Sequence, residues 1–288
     1  MSKAKIGVQA MMLKGKFDEL GAYETLKKVS EIGYNTIEIS QIKMTEENVS
    51  EMKRACDDFG IRVVAMSPAL EGNPMMPQEN LQDDYDKIVA DAKTLNCEFF
   101  RIGMLPIPSM FSLEKVLEFC EKLEAMAVKL QDDGIKLYYH NHHVEFEKFE
   151  GKYLLDIIRE KAPSVGFELD VHWVQRAGED PVKIIEKYAG LVDLIHLKDY
   201  RVGSLDPSAL DHLAKGDFKS FMDEFANVIQ FAEVGEGNLD FHAIIAAGLK
   251  SGAKYFLVEQ DDTYGKDAFE SLKISYDNLV EMGYGDMF

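Results

Sequence analysis

The sequence predicts one α/β domain over residues 1–288, built as a (β/α)8 TIM barrel. Eight short apolar runs have strand character, and amphipathic helical stretches separate them. The runs begin 26 to 37 residues apart through the seventh, which is the spacing of a repeated β/α unit with a right-handed crossover. The length is close to the roughly 250 residues of such a barrel, and no linker rich in Pro, Gly or Ser divides the chain.

The predicted strands are mostly apolar with little alternation, as expected of parallel strands covered by helices. They span 5–13, 36–40, 62–69, 99–105, 136–142, 165–173, 192–200 and 254–261. The first helix ends at Gly33 and the second begins at Thr45, residues that favour helix ends and starts. Helices are predicted over 23–33, 45–60, 78–96, 112–134, 180–190 and 240–252.

The seventh and eighth strand candidates begin about 60 residues apart, so a long excursion is predicted at about 201–240. It contains one predicted helix, 206–228, followed by the turn-like stretch Gly235-Glu236-Gly237. Segments after barrel strands lie at the C-terminal mouth, where barrel enzymes have their active sites. The excursion could form a lid over the site, or it could be an insertion without a role there; both interpretations are open.

The net charge of −19 argues against nucleic acid as a partner, because nucleic-acid-binding surfaces carry Lys and Arg clusters. No apolar run approaches the roughly 20 residues of a membrane span. The N-terminal stretch lacks the features of a signal peptide, and the three widely spaced cysteines are typical of reduced thiols. We therefore expect a cytoplasmic protein that acts on a small molecule; assembly into a homo-oligomer is compatible with the sequence.

Four consecutive strand candidates end in polar residues where buried parallel strands should stay apolar. Because side chains alternate along a strand, residues two apart share a face. The residues that share such faces are His140 with His142, Glu168 with Asp170 and His172, and His196 with Lys198, while Glu259 follows the face of Leu257. The pattern predicts that imidazoles and carboxylates converge at the barrel mouth.

Charged groups in a dry barrel must pair, shift their pKa values or bind a metal. Two imidazoles and two carboxylates are a suitable ligand set for a divalent cation such as Mn²⁺, Co²⁺, Mg²⁺ or Zn²⁺. A hydrogen-bonded network without metal is the alternative. The recurrence of polar groups on four strands favours the metal.

The stretches "YHNHHVEF", "FELDVHWVQRAGEDP", "IHLKDY", "EVGEGNLDF" and "FLVEQD" resemble, in this order, the sugar phosphate isomerase/epimerase superfamily of xylose-isomerase-like barrels. That family includes tagatose 3-epimerases and inosose dehydratases. The resemblance implies one divalent metal held by Asp170, His196, Glu259 and a strand-five residue. The epimerases have a glutamate on strand five, whereas this chain has His140; the alternative strand-five ligand is His142.

The resemblance also implies acid–base chemistry beside a metal-polarised carbonyl. The candidate catalytic residues are Glu259, His140, His172 and Lys198. Candidates for contacting the substrate or orienting a ligand are His142, Glu145, Arg101, Trp173 and Glu236, and Glu38 is a further candidate for the pocket lining.

The favoured function is a metal-dependent isomerase or epimerase of a ketose or keto-sugar, in which a base removes the proton next to the carbonyl. A lyase or dehydratase acting on a keto-inositol or 3-keto-glycoside is the alternative, because His140 replaces one glutamate of the epimerase pair. A non-catalytic sugar-binding barrel is the third possibility.

Overall fold

The computed structural model describes residues 4–73 and 78–288. Eight parallel strands close into a barrel in which each strand pairs with its neighbours in sequence and the last pairs with the first. This confirms the predicted barrel; residues 1–3 and 74–77 of the predicted domain lie outside the described residues. The strands are β1 Lys5–Gln9, β2 Thr36–Ile39, β3 Arg62–Met66, β4 Phe99–Ile102, β5 Lys136–His140, β6 Gly166–Asp170, β7 Val192–Leu197 and β8 Tyr255–Val258.

Helices pack around the barrel and cover its outer face. In the described residues they are α1 Lys14–Ile32, α2 Glu46–Phe59, α3 Tyr85–Thr94, α4 Leu113–Gln131, α5 Leu154–Lys161, α6 Val171–Arg176, α7 Pro181–Lys187, α8 Ala209–Ala214, α9 Phe218–Ala226, α10 Phe241–Ser251 and α11 Ala268–Leu279. Helix α1 begins nine residues earlier than predicted, and α3 begins seven residues later than predicted. The helices α5, α6 and α11 were not predicted from the sequence.

Aromatic side chains fill the lower part of the barrel interior. Phe99 packs edge-on against Tyr138 and Tyr255, with ring centroids 5.2 and 6.0 Å apart. These rings belong to a small buried cluster of their own, which also includes Leu194 and Leu257. The interior positions two residues further along four of these strands are Arg101, His140, His196 and Glu259. Because residues two apart on a strand share a face, a layer of polar side chains lies directly above the layer of apolar ones inside the barrel.

Strand β6 ends earlier than predicted, and this changes the placement of two candidate residues. Asp170 closes the strand, and its Oδ1 accepts a hydrogen bond from the backbone N–H of Trp173 at 3.1 Å. Such an N-terminal cap starts a helix, so His172 and Trp173 lie on α6 rather than on the strand. The expectation that His172 shares a strand face with Glu168 and Asp170 is wrong for this reason. Strand β5 likewise stops at His140, before His142.

The segment after β7 forms a hairpin that carries two short helices. Residues 199–202 pair antiparallel with residues 229–232, and α8 and α9 lie between them. The prediction of one helix over 206–228 is wrong, because Gly216 adopts a left-handed φ of 75° and the side chain of Asp217 caps a new helix. Asp199 anchors the returning chain: its carboxylate accepts hydrogen bonds from the backbone N–H groups of Tyr200, Gly235, Gly237 and Leu239.

Gly7 marks a close approach between β1 and β2. A Cβ atom at this position would lie 2.4 Å from the backbone oxygen of Thr36. We expect Gly7→Ala to lower the free energy of unfolding by about 1–3 kcal/mol, the usual cost of overpacking a dense interior. Gly15→Ala is the control, because a Cβ at Gly15 meets no atom within 4 Å. Equal urea midpoints for the two variants would contradict this prediction.

Candidate functional site

Four buried side chains converge at the mouth of the barrel: His140, Asp170, His196 and Glu259. One ligand atom from each lies within 4.8 Å of all the others. His196 Nδ1 is 2.6 Å from Glu259 Oε2 and 3.1 Å from His140 Nε2, and His140 Nε2 is 3.5 Å from Asp170 Oδ2. The ends of β5 to β8 thus bring together the four residues predicted as metal ligands.

This donor set fits a divalent metal. The oxygens Asp170 Oδ2 and Glu259 Oε2 are buried and lie among cationic groups, with Lys198 Nζ beside both and His196 Nδ1 beside Glu259. Buried carboxylates are costly unless positive charge is nearby, and a metal ion is one source of that charge. Two imidazole nitrogens and two such oxygens match the preferences of Mn²⁺, Co²⁺ and Zn²⁺. The buried group is therefore consistent with a metal site.

Lys198, which follows β7, supplies positive charge beside the four residues. Its Nζ lies 3.1 Å from Asp170 Oδ2, 3.0 Å from Glu259 Oε2 and 3.0 Å from Asp261 Oδ1. Burial by itself would raise the pKa values of Asp170 and Glu259, but Lys198 together with the neighbouring histidines outweighs burial and lowers both. Both carboxylates are consequently ionised at neutral pH and available to a cation.

The two histidines of the group differ in charge. Burial lowers the pKa of His140 to about 4, so its ring is neutral at pH 7. The pKa of His196 is raised well above its ordinary value although burial opposes this, because Glu168, Glu259 and Glu38 surround the ring. His196 is therefore an imidazolium in the metal-free protein.

A second buried group lies on the other side of His196. His196 Nε2 is 3.2 Å from Glu38 Oε2 and 3.1 Å from Glu168 Oε1. Arg101 Nε contacts the same two carboxylates at 2.8 and 3.1 Å. Burial and the neighbouring Glu38 raise the pKa of Glu168 to about 8. The pKa of Glu38 is lowered despite burial, because Arg101 and His196 are close. At neutral pH one of the two carboxyl groups is therefore neutral.

His142 and Glu145 form the turn that follows β5. The carboxylate of Glu145 accepts a hydrogen bond from the Tyr139 hydroxyl at 2.6 Å and one from the His142 backbone N–H at 2.7 Å. The His142 ring packs 4.9 Å from that of His140 and lies outside the group of four. Glu145 thus orients the His142 backbone, and His140 provides the strand-five nitrogen among the four.

An aromatic wall beside Lys198 joins α6 to the hairpin. The ring of Phe231 lies 4.6 Å from His172 and 6.0 Å from Trp173, and Lys198 Nζ is 5.6 Å from the Phe231 centroid. The Phe231 N–H donates to the Tyr264 hydroxyl at 3.0 Å, which ties the hairpin to the loop after β8. Ring nitrogens of His142, His172 and Trp173 are buried here without a hydrogen-bond partner.

The structure separates one predicted residue from the site and adds another. Glu236 is exposed, and its carboxylate accepts from Asn278 at the rim. Gln9, which the sequence analysis missed, is buried at the end of β1 and donates to Glu259 Oε1 at 2.9 Å. The sequence does contain the feature that identifies such residues, because Gln9 is a polar residue at the end of an apolar strand. It was not recognised because the first strand was predicted to continue to residue 13.

The model of the xylose isomerase-like TIM barrel family matches residues 26–276 of this chain. The chain belongs to this family. The family indicated by the strand-end motifs is therefore confirmed, and its members act on sugars. In the part of the chain that the structure describes, no helix is both long and apolar enough to cross a membrane.

Relatives of known function include both isomerases and dehydratases. Inosose dehydratase of Lacticaseibacillus casei is 27% identical over 142 residues, which span 48% of this chain and 45% of that enzyme, just under half its length. A sugar phosphate isomerase/epimerase of Parabacteroides distasonis has the same fold, with a TM-score of 0.74 at 19% identity over 97% of this chain and 98% of that one. A 3-keto-D-glucoside 4-epimerase of E. coli aligns with a TM-score of 0.65 at 15% identity, over 97% and 100% of the chains.

We expect divalent metal binding to release about one proton at pH 7, because ligands bind metals in their deprotonated forms. His196 carries the proton in question, while His140 is already neutral. The apparent affinity should therefore weaken as the pH falls. Calorimetric titrations with Co²⁺ in buffers of different ionisation enthalpy measure the released protons, and identical heats in all buffers would refute the assignment.

Trp173 is the chain's single tryptophan and reports on the aromatic wall. We expect Phe231→Ala to increase acrylamide quenching of its fluorescence, because the ring that packs on the indole is removed. Phe225→Ala is the matched control: this residue is 57% exposed on α9, and its loss should leave the quenching unchanged. Equal quenching in both variants would mean that the hairpin does not cover Trp173 in solution.

Proposed function

We propose that the protein is a divalent-metal-dependent isomerase or epimerase of a ketose or keto-sugar. The observation that carries the proposal is the buried group His140, Asp170, His196 and Glu259 at the barrel mouth. When bound, the metal would be held by these four residues and would polarise a substrate carbonyl. The remaining chemistry falls to the side chains around it.

Glu259 and His140 are the candidate proton carriers. The Glu259 carboxylate is ionised because Lys198 and His196 outweigh its burial, and the lowered pKa of His140 leaves its imidazole neutral. Glu259 is the base that removes the proton from the carbon next to the carbonyl, and its conjugate acid can return that proton. Delivery of a proton to the opposite face, which gives the epimer, needs a second group that already carries one. His140 is the candidate, because its Nδ1 would carry an N–H when Nε2 faces the metal.

Lys198 is suited to stabilising negative charge that develops on a substrate oxygen. Burial would lower the pKa of its ammonium group, but the three neighbouring carboxylates outweigh burial and raise it above the ordinary value, so the group stays charged throughout. A fixed positive charge in a site without water stabilises an oxyanion more strongly than the same charge in solution. The adjacent rings of Trp173 and Phe231 offer apolar surfaces for the C–H face of a sugar.

A lyase acting on a keto-inositol or 3-keto-glycoside is the second candidate. An imidazole replaces the strand-five glutamate of the epimerases, which removes the symmetry of a two-carboxylate shuttle. Asp261, whose pKa burial raises to about 6 and which contacts Lys198, is close enough to serve as an acid for a departing β-hydroxyl. The similarity to inosose dehydratase over half of the chain supports the same candidate.

Incubation of the Mn²⁺-loaded protein with a panel of ketoses and 3-keto-glycosides in D2O tests the proposal. We expect deuterium at the carbon next to the carbonyl, and Glu259→Gln should slow its incorporation by about 10²- to 10⁴-fold. Glu47→Gln, on the exposed first turn of α2, is the control and should exchange at the wild-type rate.

The products distinguish the candidates. An epimer or isomer with deuterium supports the first function, whereas an enone absorbance with loss of water or of an aglycone supports the lyase. Absence of exchange and of elimination across the whole panel, with metal bound, would refute both and favour a sugar-binding barrel without catalysis.

A further inference from the structure

The buried group on the Nε2 side of His196 has no role in the proposed chemistry. Glu38, Glu168 and Arg101 lie on β2, β6 and β4, and the two glutamates face Nε2, whereas the other three candidate ligands face Nδ1. Both glutamates are fully buried and Arg101 is 5% exposed. They contact one another and His196. A group of three buried ionisable residues inside a barrel needs an explanation.

Arg101, the two glutamates and His196 form a closed ring of contacts. Arg101 Nε faces one oxygen of each glutamate, at 2.8 and 3.1 Å. His196 Nε2 faces the other oxygen of each, at 3.2 and 3.1 Å. Arg101 also donates through Nη2 to the Ser40 hydroxyl at 3.2 Å. The guanidinium thus holds both carboxylates in place, and each carboxylate turns its free oxygen toward the same imidazole nitrogen.

Ligand atoms of Glu38, Glu168 and His196 also lie within 4.8 Å of one another, as they would around a metal ion. Their contacts nevertheless argue against a second cation there. Arg101 already provides the positive charge that the two carboxylates need. A further cation among them would lie close to a permanent guanidinium charge. By contrast, an N–H at Nε2 suits both neighbours: Glu38 Oε2 is placed to accept its hydrogen bond at 3.2 Å, and Glu168 Oε1 lies 3.1 Å from the same nitrogen without a hydrogen bond of its own.

We propose that Glu38 and Glu168 are positioning residues that keep the proton of His196 on Nε2 and thereby present Nδ1 to the metal. Nδ1 is the nitrogen that lies 2.6 Å from Glu259 and 3.9 Å from Asp170. A histidine ligand is fixed in orientation and tautomer by the acceptor of its other N–H. Contacts from β2 and β6 on either side of Nε2 also restrict rotation of the ring. This inference rests on the metal site of the proposed function.

Cobalt binding tests the positioning role without using activity. The full-length, chelator-treated protein is titrated with Co²⁺, and uptake is followed by visible absorption and calorimetry. We expect Glu38→Gln and Glu168→Gln each to bind Co²⁺ about 10- to 100-fold more weakly, the usual effect of removing such a carboxylate, and to change the cobalt absorption bands. Arg101→Lys, which keeps the charge but not the forked contacts, should weaken binding in the same direction.

Glu233→Gln is the matched control. Glu233 is also a buried glutamate, but it is bonded to Ser271 and Lys266, away from His196. Its affinity for Co²⁺ and its absorption bands should match those of the wild type. If Glu38→Gln and Glu168→Gln bind like this control and lose only thermal stability, the two glutamates are structural and the proposal is overturned.

A measurement on the wild-type protein tests the proposal even if the variants fail to fold. In the Zn²⁺-loaded protein with 15N-labelled histidine, the signals lost in His196→Gln identify the ring. A protonated Nε2 with zinc on Nδ1 supports the proposal, and zinc on Nε2 overturns it. If the wild type takes up neither Co²⁺ nor Zn²⁺, the metal site of the proposed function fails, and this outcome is distinct from normal uptake by the glutamate variants.

Discussion

One constraint determines how the side chains at the barrel mouth are arranged: a buried charge must lie next to an opposite charge. Arg101, Lys198 and the protonated His196 face Glu38, Asp170 and Glu259, while the raised pKa of Glu168 keeps that carboxyl neutral. The positive and negative charges of this set balance. Removing any one partner leaves a buried charge uncompensated, which costs far more than a surface ion pair contributes.

The fold supports this charge set from below and from above. The aromatic rings of Phe99, Tyr138 and Tyr255 fill the barrel beneath it, so the polar side chains are held at the C-terminal ends of the strands. Above it, Phe231 packs against His172 near Lys198, and Asp199 ties the returning segment down through backbone N–H groups. The charged side chains are consequently buried, which strengthens the electrostatic interactions among them.

Under the proposed function, the same constraint would relate metal binding to catalysis. A cation bound at Nδ1 of His196 would displace a proton and leave the ring neutral, while Lys198 stays beside Glu259 and Asp170. Isomerisation and elimination would both begin with removal of a proton next to a carbonyl, and the relatives include enzymes named for each reaction.

The sequence by itself determined the barrel class and most of the metal-binding group, because strand periodicity is local and polar residues at buried strand ends are conspicuous. It identified His140, Asp170, His196 and Glu259 by this argument and by resemblance. Only the tertiary structure decided that His172 and Trp173 lie on a helix, that Glu236 points to the rim, and that Gln9 reaches Glu259. It also revealed that Glu38, Glu168 and Arg101 meet on the Nε2 side of His196. These contacts join strands that are distant in the chain, and their formation depends on barrel closure, for which a local pattern contains no information.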